Sequence, residues 1–104
     1  MYKICFYVPV THVEQVKDAM FSAGAGNIGN YTNVAWQVLG EGQFMPLSGS
    51  EAFIGQVDCL EKIAEFKVEM VCAEQKLEAV IRAFRTAHPY EEPAFQVIKL
   101  ENFV

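Results

Sequence analysis

Between His88 and Phe95 the chain reads His88-Pro89-Tyr90-Glu91-Glu92-Pro93-Ala94-Phe95, which brings an imidazole, a phenol and two carboxylates onto one short stretch. Two kinds of chemistry use such groups. His88, Glu91 and Glu92 carry nitrogen and oxygen atoms that suit a divalent metal, with Glu41 reaching in from a second copy as a further oxygen ligand. The same two carboxylates are the only adjacent candidates for an acid–base pair. Both readings meet an objection. Three residues of one stiff turn seldom all face one ion, and His12 lies far off in sequence, at the exposed start of a helix. Glu91 and Glu92 are neighbours in an extended turn, so their side chains are expected on opposite sides. The plainer reading gives His88 the last carbonyls and negative end of a helix, and Tyr90 a buried ring with a bonded hydroxyl. Cys5, Cys59 and Cys72 fall in or beside strands and read as buried thiols. An enzyme is the least supported class, and no cofactor is identified beyond that metal.

The elements that position this stretch follow from periodicity. Each proline fixes its own φ and drives the preceding residue out of the helical region, so a helix ends at His88 and a strand starts near Phe95. That helix spans about 74–87, with Leu77, Val80, Ile81 and Phe84 on one face and Glu78 four residues before Arg82. At the other end of the chain, Ile4, Phe6 and Val8 alternate with Lys3, Cys5 and Tyr7, a strand with one face in a core. Thr11-His12-Val13-Glu14 fits a capping box. Val13, Val16, Met20 and Ala23 follow at helical spacing, and Gly24 is placed to end the helix. Val34–Leu39 reads as a strand running on into an apolar arm through Phe53-Ile54-Gly55, with a reversal at Ser48-Gly49-Ser50. Residues 60–72 alternate as a strand, and Gln96–Leu100 closes the chain as another.

The order is βαββαβ with an extended β-arm between strands 2 and 3. It predicts an α+β, ferredoxin-like sandwich: a four-stranded antiparallel sheet, first and third strands central, with two helices on one face. Cys5, Tyr7, Val71, Trp36 and Phe95 then fall on the uncovered face, and an apolar open face calls for self-association.

Composition removes several classes. With 104 residues, 52% hydrophobic, the chain suits one globular domain. A net charge of −5 without a basic run leaves nucleic acid without its main source of affinity. No apolar run approaches a membrane span. Three unpatterned cysteines fit neither a disulfide framework nor structural zinc, so a reducing cytoplasm is expected. Gly24-Ala25-Gly26-Asn27-Ile28-Gly29 spells GxGxxG, but a helix precedes it and a strand follows, the reverse of the dinucleotide-binding order. It reads as a loop whose glycines permit positive φ and close backbone approach.

Four segments together resemble the insert domain of the YqfO, or Nif-three-like, family. They are Gly26-Asn27-Ile28-Gly29-Asn30-Tyr31, Gly40-Glu41-Gly42-Gln43-Phe44-Met45-Pro46, Phe53-Ile54-Gly55 and His88-Pro89-Tyr90-Glu91-Glu92-Pro93-Ala94. The resemblance covers essentially the whole chain. It implies the fold of the PII signalling proteins and of CutA, a ferredoxin-like unit that forms trimers. It also implies a non-catalytic homo-oligomer, a trimer, that binds a small molecule or a protein partner at clefts between subunits. The candidate walls are Gly26, Asn27, Gly29 and Tyr31 of the glycine loop, Glu41, Gln43 and Phe44 of the arm, and His88, Tyr90, Glu91 and Glu92 of the turn. The turn is similar to a C-terminal segment of CutA, which implies an alternative role in divalent-metal binding or tolerance through His88, Glu91 and Glu92. Full-length relatives carry flanking halves with a two-metal centre, for which 104 residues leave no room. Hydrolase-like chemistry is therefore not expected to transfer. Ala52 stands where the family often has proline, which is expected to loosen the arm.

Overall fold

A computed structural model describes residues 1–103. Six elements follow in order: β1 (Tyr2–Pro9), α1 (Val13–Ala23), β2 (Trp36–Phe44), β3 (Glu61–Cys72), α2 (Glu74–Ala87) and β4 (Phe95–Lys99). The strands form one antiparallel sheet in the order β2-β3-β1-β4, so β1 and β3 are central as the pattern predicts. The fold is the βαββαβ, ferredoxin-like sandwich that the element order predicts.

Register decides which side chains are covered, because directly paired residues share a face. Ile4 pairs with Met70, Phe6 with Val68 and Val8 with Phe66, and this face meets Val13, Val16, Met20, Val80 and Phe84 of the helices in the core. Phe84 is fully buried, with its ring 5.1 Å from that of Phe6. Burial of such a side chain contributes about 2–3 kcal/mol, which makes this stripe the mechanical centre of the fold. The expected Glu78–Arg82 pair forms at 3.1 Å on the solvent side of α2. Helix α2 stops at His88, which is extended (φ −70°, ψ 134°), as a residue before proline must be. Gly24 ends α1 in the left-handed region, and its N–H reaches Met20 O and Phe21 O.

Several expectations need correction. Thr11 caps nothing: α1 starts at Val13, with His12 as its N-cap and no side-chain cap bond. A turn closed by His12 N–H to Pro9 O (2.9 Å) places Thr11 outside the helix, and its Oγ1 lies 2.8 Å from His12 Nδ1. Strand β2 starts at Trp36 and pairs with β3 as far as Phe44–Glu61, so Gly40–Phe44 belong to the sheet and the arm proper is 45–60. The reversal inside it is real, with Ser50 N–H bonded to Leu47 O and Gly49 at φ +93°, but no strand follows. Phe95 lies on the covered face, because it pairs with Phe6 and packs 5.2 Å from Phe84 beneath the Arg85 guanidinium.

The open face carries Lys3, Cys5 and Tyr7 of β1 beside Glu69 and Lys67 of β3, with a Lys3–Glu69 ion pair at its centre. By the same pairing, Trp36 and Val38 lie toward one edge and Ile98 toward the other, all exposed; Trp36 is 57% exposed. The face is charged in the middle and apolar at both edges. Among the described residues, no helix is long and apolar enough to cross a membrane.

Candidate functional site

The turn after α2 folds inward rather than out. His88 is only 5% exposed and touches the Phe84 ring at 5.3 Å. Its Nε2 lies 2.7 Å from the Tyr7 carbonyl, and its Nδ1 accepts the Tyr90 N–H at 3.1 Å. A carbonyl can only accept and an amide can only donate, so the ring is the neutral tautomer with its proton on Nε2. Burial holds its pKa below the ordinary imidazole value, against the opposing pull of the Tyr7 bond. Both nitrogens are therefore engaged by backbone. That leaves no lone pair for a cation, and the expected cap on the helical carbonyls is replaced by a bond to β1.

Tyr90 continues outward from His88, ring to ring at 4.9 Å. Phe44 of β2 and Phe53 of the arm flank it at 5.9 and 6.4 Å, and His12 meets Phe53 edge-on at 5.2 Å. The Tyr90 hydroxyl donates to Glu65 Oε2 at 2.7 Å. Burial and then the Glu65 carboxylate push this phenol well above its usual pKa, so it remains a hydrogen-bond donor throughout the physiological range. Glu65 can lie there because residue 42 is glycine: a Cβ at that position would sit 1.8 Å from Glu65 Oε1. Glu91 Oε2 accepts the Glu51 N–H at 3.2 Å and ties the arm to the turn.

These contacts enclose a cleft of about 360 Å³ between arm and turn. Phe44, Pro46, Phe53 and Ile54 supply apolar wall, and Glu65, Glu91 and Glu92 supply carboxylates. Glu91 and Glu92 both border it, and the chain bends at both residues instead of running extended. No lysine or arginine lines the space. Among the described residues no three His, Cys, Asp or Glu side chains converge as ligands of one ion would.

Of the candidate wall residues, Gln43, Phe44, Tyr90, Glu91 and Glu92 meet at this cleft. His88 supports it from below. Glu41 pairs with Ala64 and is exposed, outside the lining. The glycine loop is at the far end of the sheet: Gly26 N–H bonds Val71 O at 2.8 Å, next to the start of β1, whereas Glu65 pairs with Pro9 at its end. Gly26 has its own structural cause, with φ +79° and the Phe21 ring 2.7 Å from where a Cβ would stand. Asn27 bonds Gly24 O, while Ile28 and Tyr31 exchange backbone bonds around Gly29. Within one chain this loop walls nothing at the cleft.

Tyr7, Gly42, Glu65, Pro46, Phe53 and Ile54, none of them a candidate from the sequence, also line the cleft, together with the small residues Ser50, Ala52 and Ala94. The alternation of β3 carries the signal for Glu65, which shares parity with Lys67 and Glu69. Cys5 and Cys72 are buried as expected, and burial raises the Cys72 thiol, but Cys59 is exposed in the arm.

No protein-family model matches the chain. Curated relatives do: it is 46% identical over 98 residues to the GTP cyclohydrolase 1 type 2 homolog of Mycobacterium leprae (strain TN), which covers 94% of this chain and 26% of the relative. The corresponding homolog of Bacillus subtilis (strain 168) is 42% identical over 100 residues, 96% of this chain and 27% of the relative. The chain thus spans about a quarter of the length of the relatives it matches. A crystal structure of a Bacillus cereus protein related to NIF3 superposes with a TM-score of 0.82 and 40% identity, over 97% of this chain and 26% of that one. The periplasmic divalent cation tolerance protein CutA of Archaeoglobus fulgidus superposes with a TM-score of 0.69 over 100% of this chain and 88% of its own, at 16% identity, which speaks for the fold alone. The chain is homologous to the insert region, about 100 residues long, of the NIF3-related proteins and GTP cyclohydrolase 1 type 2 homologs, and it has the CutA/PII-like fold.

Proposed function

We propose that the chain acts as a non-catalytic, PII/CutA-like homo-oligomer, a trimer, that binds a small molecule or a protein partner at clefts bordered by a neighbouring subunit. The observation that carries this reading is the cleft itself, a space of about 360 Å³ held open between arm and turn by side-chain bonds. Exposed Trp36, Val38 and Ile98 on the open face and Leu47 and Leu60 on the arm supply apolar surface for assembly. Three free thiols fit a reducing compartment, and we assign the protein to the cytoplasm on that ground. Native mass spectrometry of untagged protein tests both parts at once. A trimer with a retained species is the expected result, and a monomer of 11.7 kDa at micromolar concentration overturns it.

A second reading, divalent-cation binding, takes its motive from the name of the Archaeoglobus protein and from three carboxylates on one cleft. It would rest on fewer than all of Glu65, Glu91 and Glu92, since these three do not converge on one ion and His88 has no nitrogen to give. Stoichiometric metal that a chelator removes would favour it.

A further inference from the structure

We infer that the cleft between the arm and the His88–Pro93 turn selects a small organic cation with an apolar body, an alkyl- or arylalkyl-ammonium. The inference rests on the reading of this cleft as a ligand site and adds the charge class of what fills it. Two halves of the lining must both be satisfied. One is aromatic: Phe44, Tyr90 and Phe53 lie side by side, and Phe53 is 48% exposed. The π faces of such rings attract a cation that sits over them.

The other half is anionic. Glu65, Glu91 and Glu92 border the same space, and no lysine or arginine does. The ion pairs among the described residues are Lys3–Glu69, Lys17–Glu14 and Arg82–Glu78, and none involves these three. The bonds that two of them make, from Tyr90 O–H and from Glu51 N–H, are to one oxygen each and neutralise no charge. An anion entering here meets three carboxylates at short range. A bare metal ion lacks three convergent donors and leaves the aromatic wall unused. A neutral apolar molecule uses the wall and strands the carboxylates. Only a ligand that is both apolar and positive uses all of the lining that this chain supplies, and the volume fits the small end of ligand pockets.

Three probes of matched shape test this on the full chain at pH 8 and low salt: 2-phenylethylammonium, 2-phenylethanol and 3-phenylpropanoate. Affinity is read by titration calorimetry, and location by amide NMR shifts at Phe44, Phe53 and Tyr90. The ammonium is expected to bind at least about tenfold tighter than either analogue, with added salt weakening it alone. The double variant Glu91→Gln, Glu92→Gln keeps size and hydrogen-bond acceptors, and unchanged sheet amide shifts would certify its fold. It should lose most of that preference while binding 2-phenylethanol as before. Phe53→Leu keeps an apolar wall without a π face and should weaken the ammonium selectively. Equal or tighter binding of the alcohol or the carboxylate at these amides overturns the charge class while leaving a ligand site in place. If no probe binds at millimolar concentration the inference falls, and the ligand-site reading is then decided separately by the species retained in native mass spectrometry.

Discussion

The two ends of the sheet are closed by loops of opposite construction. At the glycine-loop end the closure is made by backbone: Gly24 and Gly26 sit at positive φ, and the polar groups of Gly26 bond Val71 and Val34. At the arm end the closure is made by side chains, with His88 joining β1 to the turn, Tyr90 joining the turn to β3, and Glu91 joining the turn to the arm. The first kind of closure uses no titratable side chain, and a side chain at Gly26 would meet the Phe21 ring. The second is built from groups that titrate and rotate, which is the end where a ligand can be felt. Residue composition alone makes the glycine loop look like the binding element; the cleft proposed above as the ligand site lies at the other end.

Substitutions can break or sharpen this contrast. The largest effect belongs to the core that both ends share. Phe84→Ala should cost about 3–5 kcal/mol in denaturant unfolding, as large-to-small core changes do, and should loosen the turn because His88 packs on that ring. A loss below about 1 kcal/mol would mean that α2 is not seated as described.

Gly26→Ala comes next. It forces a side chain into positive φ and against the Phe21 ring, with an expected loss of about 1–3 kcal/mol and no change at the cleft. If amide shifts at Tyr90 moved as much as those beside Gly26, the two ends would not be independent.

A smaller effect is expected from pH. The folded protein holds His88 neutral, so below the ordinary imidazole value of 6.5 the unfolded chain binds the extra proton first. The stability from this contact is complete above that value and is lost as pH falls toward the depressed folded pKa. His88→Gln should flatten this acid-side slope, whereas Gly26→Ala should preserve it. Parallel slopes for wild type and His88→Gln would take the imidazole out of the account.

The smallest change is Thr11→Ala. A capping threonine would cost about 1 kcal/mol on removal, but here the hydroxyl reaches only His12, and a shift within about 0.5 kcal/mol is expected.

Much of this architecture is legible in the amino-acid order, and the limits have physical causes. Alternation in β1 and β3 and the helical spacing of Leu77–Phe84 are long enough to fix faces, and with them the sheet order. Phe95 escapes because β4 covers only five residues, and a proline turn of unknown bend sets which of them faces inward. The capping pattern at Thr11 fails because the turn after Pro9 competes for the same residues, and local patterns do not report which wins. Glu65 had the right parity, but its role depends on Tyr90, twenty-five residues away, and on an arm whose docking rests on single bonds. The pattern of His88, Glu91 and Glu92 shows donor atoms but not their occupancy, and backbone partners for both His88 nitrogens become visible only once β1 lies beneath the turn.

The fit of Glu65 over Gly42 has a consequence for how this sequence can change. A methyl group at residue 42 displaces the Glu65 carboxylate, and a displaced carboxylate gives up its bond from the half-buried Tyr90 hydroxyl. Three positions on three different elements are thus one heritable choice. The atoms in the way are the far end of a flexible side chain, so a larger residue at 42 is admitted once Glu65 swings aside, and what that step loses is the Tyr90 bond. In a background where residue 65 has already shortened there is no such bond to lose, so the order of substitution decides how much each step costs.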